Sequence, residues 1–446
     1  GNRTWTAACQ AECQACAICA SLVTAAAPQD SLNLASAQYP AEVMTCGAQA
    51  PSTTQHMTCH DYDAVSAAVI GLYNSLPTDC NDLDCPQQEF AGCVTRLAGH
   101  DLMDYKDNEG GADACVDLQH PINRGLAQCL RGDGSGRPTV LNAYREFCGS
   151  ISLADFVLIA TEAVMSVLRQ NFHQAYPSLW GSLEPFNPMD FRSSFRFGRT
   201  TAAECAWSES RMPNPENGSE IVRVLQENMG LDTASKTAIM GLHGIGRARV
   251  NNSGYDGWFV DAQKARQLGT HYYAAMVGQG FVAEVKVASN PGKNQWIRAD
   301  VGRGRDRALG KNMMLNTDLC LLHGQNNAGS KVLNATSDAP CCAWAMPNDQ
   351  IPNLKQLDGR YCGSKSRSNI MTIDGFGQQR STCCTGNAEA PADCSLPRKP
   401  SGGAAAAVIN FAYHDTAWVG TFQSAWAHAT GNVHGGSSIT LRPLVC

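Results

Sequence analysis

Ser152-Leu-Ala-Asp-Phe-Val-Leu-Ile-Ala-Thr-Glu-Ala-Val-Met-Ser-Val-Leu168 decides the fold class of this chain. Phe156, Ile159 and Val164 fall on one side of a 3.6-residue period, and Ser152 stands where a hydroxyl caps the first turn, so the stretch predicts an amphipathic helix. The same spacing recurs on both sides of it. Val65, Val69, Leu72 and Tyr73 predict one helix, and Phe90, Cys93, Val94 and Leu97 another. Ser219 to Asn228 and Thr233 to Leu242 predict two more. Ala417 to Ala429 predicts a last one, with Trp418, Phe422 and Trp426 at intervals of four. Strand-like alternation is scarce, so the reading is a mainly α protein.

The chain has 446 residues, enough for two or three packing units. Lys and Arg total 34 against 40 Asp and Glu, a formal charge of −6. That balance offers no excess of cations for phosphates or anionic lipid, which argues against nucleic acid as a partner. No apolar run nears the roughly 18 residues of a membrane-spanning helix, so no membrane partner is expected. The 21 cysteines come with four glycosylation sequons, at Asn2, Asn217, Asn251 and Asn334, which together predict a secreted, extracellular, disulfide-bonded glycoprotein. The start of the chain carries no basic and apolar leader, so Gly1 is expected to follow a removed signal peptide. An odd cysteine count leaves a thiol free or bridging to another chain, which opens disulfide-linked or higher-order self-assembly.

Four segments follow: a cysteine-rich arm (1–60), a helical domain (61–321), a disulfide-rich insertion (322–403) and a closing helix with its tail (404–446). In the arm, Cys9, Cys13, Cys16 and Cys19 could share one helix face and hold a metal cluster. An oxidising compartment favours disulfides instead. The vicinal pairs Cys341-Cys342 and Cys383-Cys384 should each tie two separate strands of loop, because neighbouring cysteines bridge poorly to each other.

Arg96-Leu-Ala-Gly-His100 places a guanidinium and an imidazole one helical turn apart, a pair able to act on one small anionic or peroxidic molecule. His243 lies at an otherwise apolar helix end, where a lone histidine is commonly a core residue. In chain order stand Arg96-Leu-Ala-Gly-His-Asp101, Gly110-Gly-Ala-Asp113, Asp117-Leu-Gln-His-Pro-Ile-Asn-Arg-Gly-Leu126, Ser152-Leu-Ala-Asp155, Phe197-Gly-Arg199, Met240-Gly-Leu-His-Gly-Ile-Gly-Arg247 and Met314-Leu-Asn-Thr-Asp318. That series resembles the haem peroxidases of plants, fungi and bacteria, and the helix around Trp418 to Trp426 resembles their closing helix.

The resemblance implies a two-lobed helical fold holding haem b, and an enzyme that reduces hydrogen peroxide and oxidises one-electron donors through a ferryl intermediate. It implies that His243 ligates the iron and donates from its far nitrogen to Asp318. It implies His100 as general base and then general acid, Arg96 as stabiliser of developing negative charge, and Asn123 as acceptor for His100. Arg249 is implied to reach a haem propionate, and Trp258, in Ser253-Gly-Tyr-Asp-Gly-Trp258, is similar to a proximal tryptophan, one residue being deleted before it, with two roles open to it: holding a radical or plain packing. Asp101, Gly111 and Asp113 resemble a distal calcium site, although Cys115 stands where a hydroxyl is expected. Gly244, directly after His243, excludes the proximal calcium site.

Two departures bear on function. Gly99 occupies a position usually held by Trp or Phe, which opens space beside His100 or lets another side chain fill it. Asn252 replaces an arginine that ascorbate peroxidases carry, which disfavours ascorbate as the reducing substrate. A second reading belongs to another class: a structural or assembly glycoprotein built on the peroxidase fold, its arm and insertion linking subunits.

Overall fold

The computed structural model describes residues 56–323, 371–373, 379–381 and 402–446, apart from 82–83, 133, 177–186, 203–204, 206–210, 279–280, 286, 291, 299–311, 434 and 437–439. All of them belong to one compact unit, Gln38–Cys446. Asn2, the Cys9 to Cys19 cluster, Asn334 and both vicinal cysteine pairs lie outside the described residues.

The protein is mainly α. Eight helices carry the argument: α1 (Cys59–Ser75), α2 (Pro86–Leu102), α3 (Leu153–Ala175), α4 (Thr233–Met240), α5 (His271–Gly278), α6 (Asn316–Leu322), α7 (Ala405–Tyr413) and α8 (Asp415–Gly431). Ser152 caps α3 as expected, its hydroxyl accepting from the Asp155 N–H at 3.1 Å. The helix differs from the amphipathic expectation in being buried on every face from Leu153 to Met165, and it runs on to Ala175. A helix apolar all round belongs at the centre of a core, and α1 and α2 pack against it.

Its few polar residues are tied down in pairs, as burial demands. Asp155 meets Arg199 at 2.6 Å, Arg169 meets Asp415, and Glu162 accepts from Tyr62 and from the Trp426 indole at 2.8 Å each. These contacts join α3 to α1 and α8. Trp418, Phe422 and Trp426 form the buried stripe that their spacing predicts.

Two predicted helices take other forms. Ser219 to Asn228 becomes a wide-turned segment, Val222–Asn228, in which the Met229 N–H reaches the Val224 carbonyl. The smaller angular step of that turn brings the adjacent Val224 and Leu225 into the core together. Thr233 to Leu242 ends early at Met240 and tightens into a 3₁₀ turn, Gly241–Gly244. Space decides this. A Cβ on Gly241 would lie 2.7 Å from the Tyr273 hydroxyl and 3.1 Å from the Trp418 indole nitrogen.

Short strands, not anticipated from the sequence, pair in small sheets. β1 (Arg196–Phe197) pairs with β7 (Arg442–Pro443). β2 (Phe281–Val285), β3 (Asn294–Arg298) and β4 (Met313–Met314) form an antiparallel sheet with Phe281 opposite Arg298 and Trp296 opposite Met314. β5 (Met371–Ile373) pairs with β6 (Gln379–Ser381).

Disulfides Cys59–Cys446, Cys80–Cys85, Cys93–Cys129 and Cys115–Cys205 staple the unit. Cys320 is a buried thiol donating towards the Gly218 and Thr317 carbonyls at 3.4 Å. Among the described residues no helix is long and apolar enough to cross a membrane.

Candidate active site

Two histidines from distant segments meet at one site, because glycines let their supports touch. A Cβ on Gly92 of α2 would fall 2.7 Å from the Cα of Gly246, and one on Gly246 would fall 2.5 Å from the Cα of Gly92. Gly246 also has φ +76°, a conformation side chains resist. The helix bearing His100 and the loop that follows His243 therefore meet backbone to backbone. Proximity has an electrostatic trace, since His243 is among the groups that lower the pKa of His100.

On α2, Arg96 and His100 share a face, as their spacing predicts. The Nδ1 of His100 lies 2.7 Å from Oδ1 of Asn123, which is buried at the end of a 3₁₀ turn, Pro121–Asn123. The amide nitrogen of Asn123 donates to the Asp117 carbonyl at 2.8 Å. That bond leaves only Oδ1 for the imidazole, so Nδ1 carries the proton and Nε2 keeps its lone pair. Arg96 agrees with this tautomer, its Nε–H pointing at Nε2 from 3.3 Å. Its terminal nitrogens donate to the carbonyls of Ile122 and Arg124 at 2.5 and 3.0 Å, which clamps the guanidinium beside the imidazole.

Burial and then the Arg96 charge push His100 down from 6.5 to about 3, against the opposing pull of Asn123. The imidazole is therefore neutral at ordinary pH. Burial alone brings Arg96 down to about 10, still cationic. A Cβ on Gly99 would meet nothing within 4 Å, so of the two outcomes expected there the open one is found.

On the other side, His243 sits half-buried in the Gly241–Gly244 turn, its Nδ1 2.7 Å from Oδ1 of Asp318. Asp318 is fully buried in the first turn of α6, and its Oδ2 accepts from the Leu315 N–H at 2.7 Å, a bond that fixes the carboxylate from behind. The Tyr272 hydroxyl also donates to Oδ1, at 2.6 Å. With Nδ1 committed, Nε2 is the nitrogen left to hold a metal. A neutral imidazole backed by a carboxylate is the donor set that an iron porphyrin takes, so the residues fit haem.

The ring stacked on His243 is Phe259, at 4.5 Å. The Trp258 carbonyl accepts from Met313 N–H at 2.7 Å, which pins this backbone to the edge of the β2–β4 sheet, and the indole packs under Arg247. One residue of register thus decides which ring reaches the imidazole. Arg249 pairs with Glu89 on α2, with Nε 2.8 Å from Oε1.

Asp101, Gly111 and Asp113 come together, the Asp113 N–H donating to the Gly111 carbonyl at 2.7 Å. Both oxygens of Asp101 accept from the N–H groups of Ala114 and Cys115, and Asp113 accepts from Cys115. Cys115 is closed in the bridge to Cys205. Among the described residues no group of three or more His, Cys, Asp or Glu is placed to hold a metal ion. Asp104 adds a third buried carboxyl that the sequence did not single out. Burial, more than its neighbours, raises it to about 8, and burial with the charges of Asp113 and Asp104 raises Asp101 well above the carboxylate range.

Of the sequons within the described residues, Asn251 is exposed on a short helix, Val250–Ser253. Asn217 Oδ1 accepts from the N–H and hydroxyl of Ser219, the third residue of its own sequon. Asn252 makes a 3.3 Å contact with Gln128 and fills the space next to Gly125. Sequence reasoning passed over Tyr272 and Phe259. The run His271-Tyr-Tyr-Ala-Ala-Met-Val-Gly278 reads as plain core, and only the fold aims one hydroxyl at Asp318.

A scan against protein-family models finds no match. Among curated proteins, one named "Putative heme-binding peroxidase" from Pyricularia oryzae is 28% identical over 129 residues, 28% of this chain and 40% of that protein. One named "L-ascorbate peroxidase 5, peroxisomal" from Arabidopsis thaliana is 26% identical over 181 residues, 39% of this chain and 54% of that protein. The chain spans about half, or less, of the length of these relatives. Their likeness points to the peroxidase superfamily and to peroxidase-type oxidoreductase chemistry.

Proposed function

We propose that this chain is an extracellular haem peroxidase that reduces hydrogen peroxide and takes electrons from a one-electron donor. The observation that carries the reading is the convergence on one site of two imidazoles with different supports. His100 is held neutral with an unprotonated Nε2 that faces the Arg96 Nε–H, and His243 is backed by Asp318 through Nδ1, which leaves its Nε2 outside that bond. Haem bound at His243 would supply the redox chemistry, taking two electrons' worth of oxidation from peroxide and returning to rest in one-electron steps.

The protein's part is proton handling and charge. His100 Nε2 would accept a proton from one peroxide oxygen and give it to the other, which would leave as water. Throughout, Nδ1–H stays on Asn123, so the ring cannot turn over and present the wrong nitrogen. Arg96, cationic and clamped by the Ile122 and Arg124 carbonyls, lies beside Nε2 and stabilises negative charge on the departing oxygen. The four disulfides described above and the exposed sequon at Asn251 support secretion as a glycoprotein. Asn252 supports a donor other than ascorbate.

Rapid mixing of haem-loaded protein with hydrogen peroxide tests this. His100→Ala should slow the first spectral change by about 10²- to 10⁴-fold, the worth of a positioned general acid–base. An unchanged rate would remove His100, and with it the reading.

A further inference from the structure

Asp318 carries more donors than orienting His243 requires. Its Oδ1 accepts from His243 Nδ1 at 2.7 Å and from the Tyr272 hydroxyl at 2.6 Å, while Oδ2 accepts from the Leu315 N–H at 2.7 Å. The Leu315 bond holds the carboxylate from the far oxygen and does not compete with the histidine. The Tyr272 bond does compete. Two donors on one oxygen draw on the same electron density, so each weakens the pull that the oxygen exerts on the other's proton. Tyr272 and Asp318 are both fully buried, so their bond is out of solvent, and the Tyr272 ring stands edge-on to His243 at 6.3 Å. The ring stacked on His243 is Phe259, which has no N–H or O–H to offer the carboxylate.

We infer that Tyr272 is a positioning residue that sets the electron-donating strength of His243. By sharing Oδ1 of Asp318 it limits the imidazolate character of the proximal ring, and so raises the reduction potential of a bound haem iron. The inference deepens the peroxidase reading and rests on it. Ligand basicity set by an outer hydrogen bond is one of the general levers on a metal centre, and here the lever is a phenol on a helix distant in sequence from both partners.

The test uses haem-loaded full chain and two variants of opposite sign. Tyr272→Phe keeps the ring and removes the donor. It should move the ferric/ferrous midpoint to a more negative potential and raise the iron–histidine stretching frequency of the reduced protein in resonance Raman spectra. 3-Fluorotyrosine inserted at position 272 is a more acidic donor of nearly the same shape, and should move both readouts the other way. A merely structural hydroxyl would move neither in a signed manner. If both variants show the wild-type midpoint and stretch while the iron–histidine band is present, Tyr272 has no tuning role and the peroxidase reading survives. If the wild type itself shows no iron–histidine band, the peroxidase reading falls and takes this inference with it. Should Tyr272→Phe fail to fold, the fluorinated residue alone decides.

Discussion

His100 Nδ1 lies 2.7 Å from Asn123 Oδ1, and the other end of that amide is anchored to the Asp117 carbonyl, so the tautomer of His100 is fixed by backbone geometry. Asn123→Ala should let the ring sample both tautomers and lose the support of its Nδ1–H. The second-order rate of reaction with peroxide is expected to fall by about 10- to 100-fold with haem occupancy unchanged. Stopped-flow absorbance checks it, and a wild-type rate would show that the amide does not orient the base.

The same site gives a pH profile. Burial, followed by the Arg96 charge, holds His100 at about 3, below its usual 6.5. The reaction with peroxide should therefore stay level from neutral pH to about pH 5 and decline only on approach to pH 3. Arg96→Leu removes the neighbouring cation and should move the acid limb upward. For stability the sign is adverse. The unfolded chain takes up a proton near pH 6.5 that the folded site refuses, so His100 withdraws stability as pH falls from about 6.5 to 3. Urea midpoints of His100→Gln against wild type at pH 7 and pH 4.5 check this, and the variant should lose less on acidification.

Glu162 works in the opposite window. It lies on the central helix between the Tyr62 hydroxyl and the Trp426 indole, and burial raises it from 4.5 to about 7. The folded state keeps the proton between pH 4.5 and 7 while the unfolded chain releases it, so this residue costs stability as pH rises through that range, by about 3 kcal/mol at most. Glu162→Gln keeps one acceptor and one donor and cannot ionise. Its stability should vary less than the wild type's between pH 4.5 and 7.5 in chemical denaturation. Identical slopes would show that Glu162 does not titrate there.

Arg199 and Asp155 form a buried pair at 2.6 Å, with Arg199 also donating to the Thr430 carbonyl at 2.6 Å. Arg199→Ala strands a carboxylate at the capped end of the central helix. The expected loss is about 3–5 kcal/mol, and replacing both residues with apolar ones of similar volume should recover most of it. Denaturation of the single and double variants measures the difference.

Much of this was legible in the sequence, for identifiable reasons. Ser152 before an apolar run marks a cap, Trp418, Phe422 and Trp426 mark one helix face, and Arg96 with His100 reads as a pair because local spacing dictates local geometry. Asn123, His243 and Asp318 could be connected only through likeness to a family, since no local pattern links residues so far apart in the chain. The choice of Phe259 over Trp258 turned on the Met313 to Trp258 backbone bond, a long-range contact. The pairing of Arg249 with Glu89, 160 residues away, was likewise out of reach of local spacing. Tyr272 could not be distinguished from Tyr273 beside it until the fold aimed one hydroxyl at Asp318 and the other at the Thr237 and Ala238 carbonyls.

The most direct measurement is the absorption spectrum of purified protein supplied with haem, compared with His243→Ala. The wild type should show a Soret band with one equivalent of haem bound, and the variant should lose that band and regain it when imidazole is added. A wild type with no Soret band, or a variant whose spectrum matches it, would contradict the account at its root.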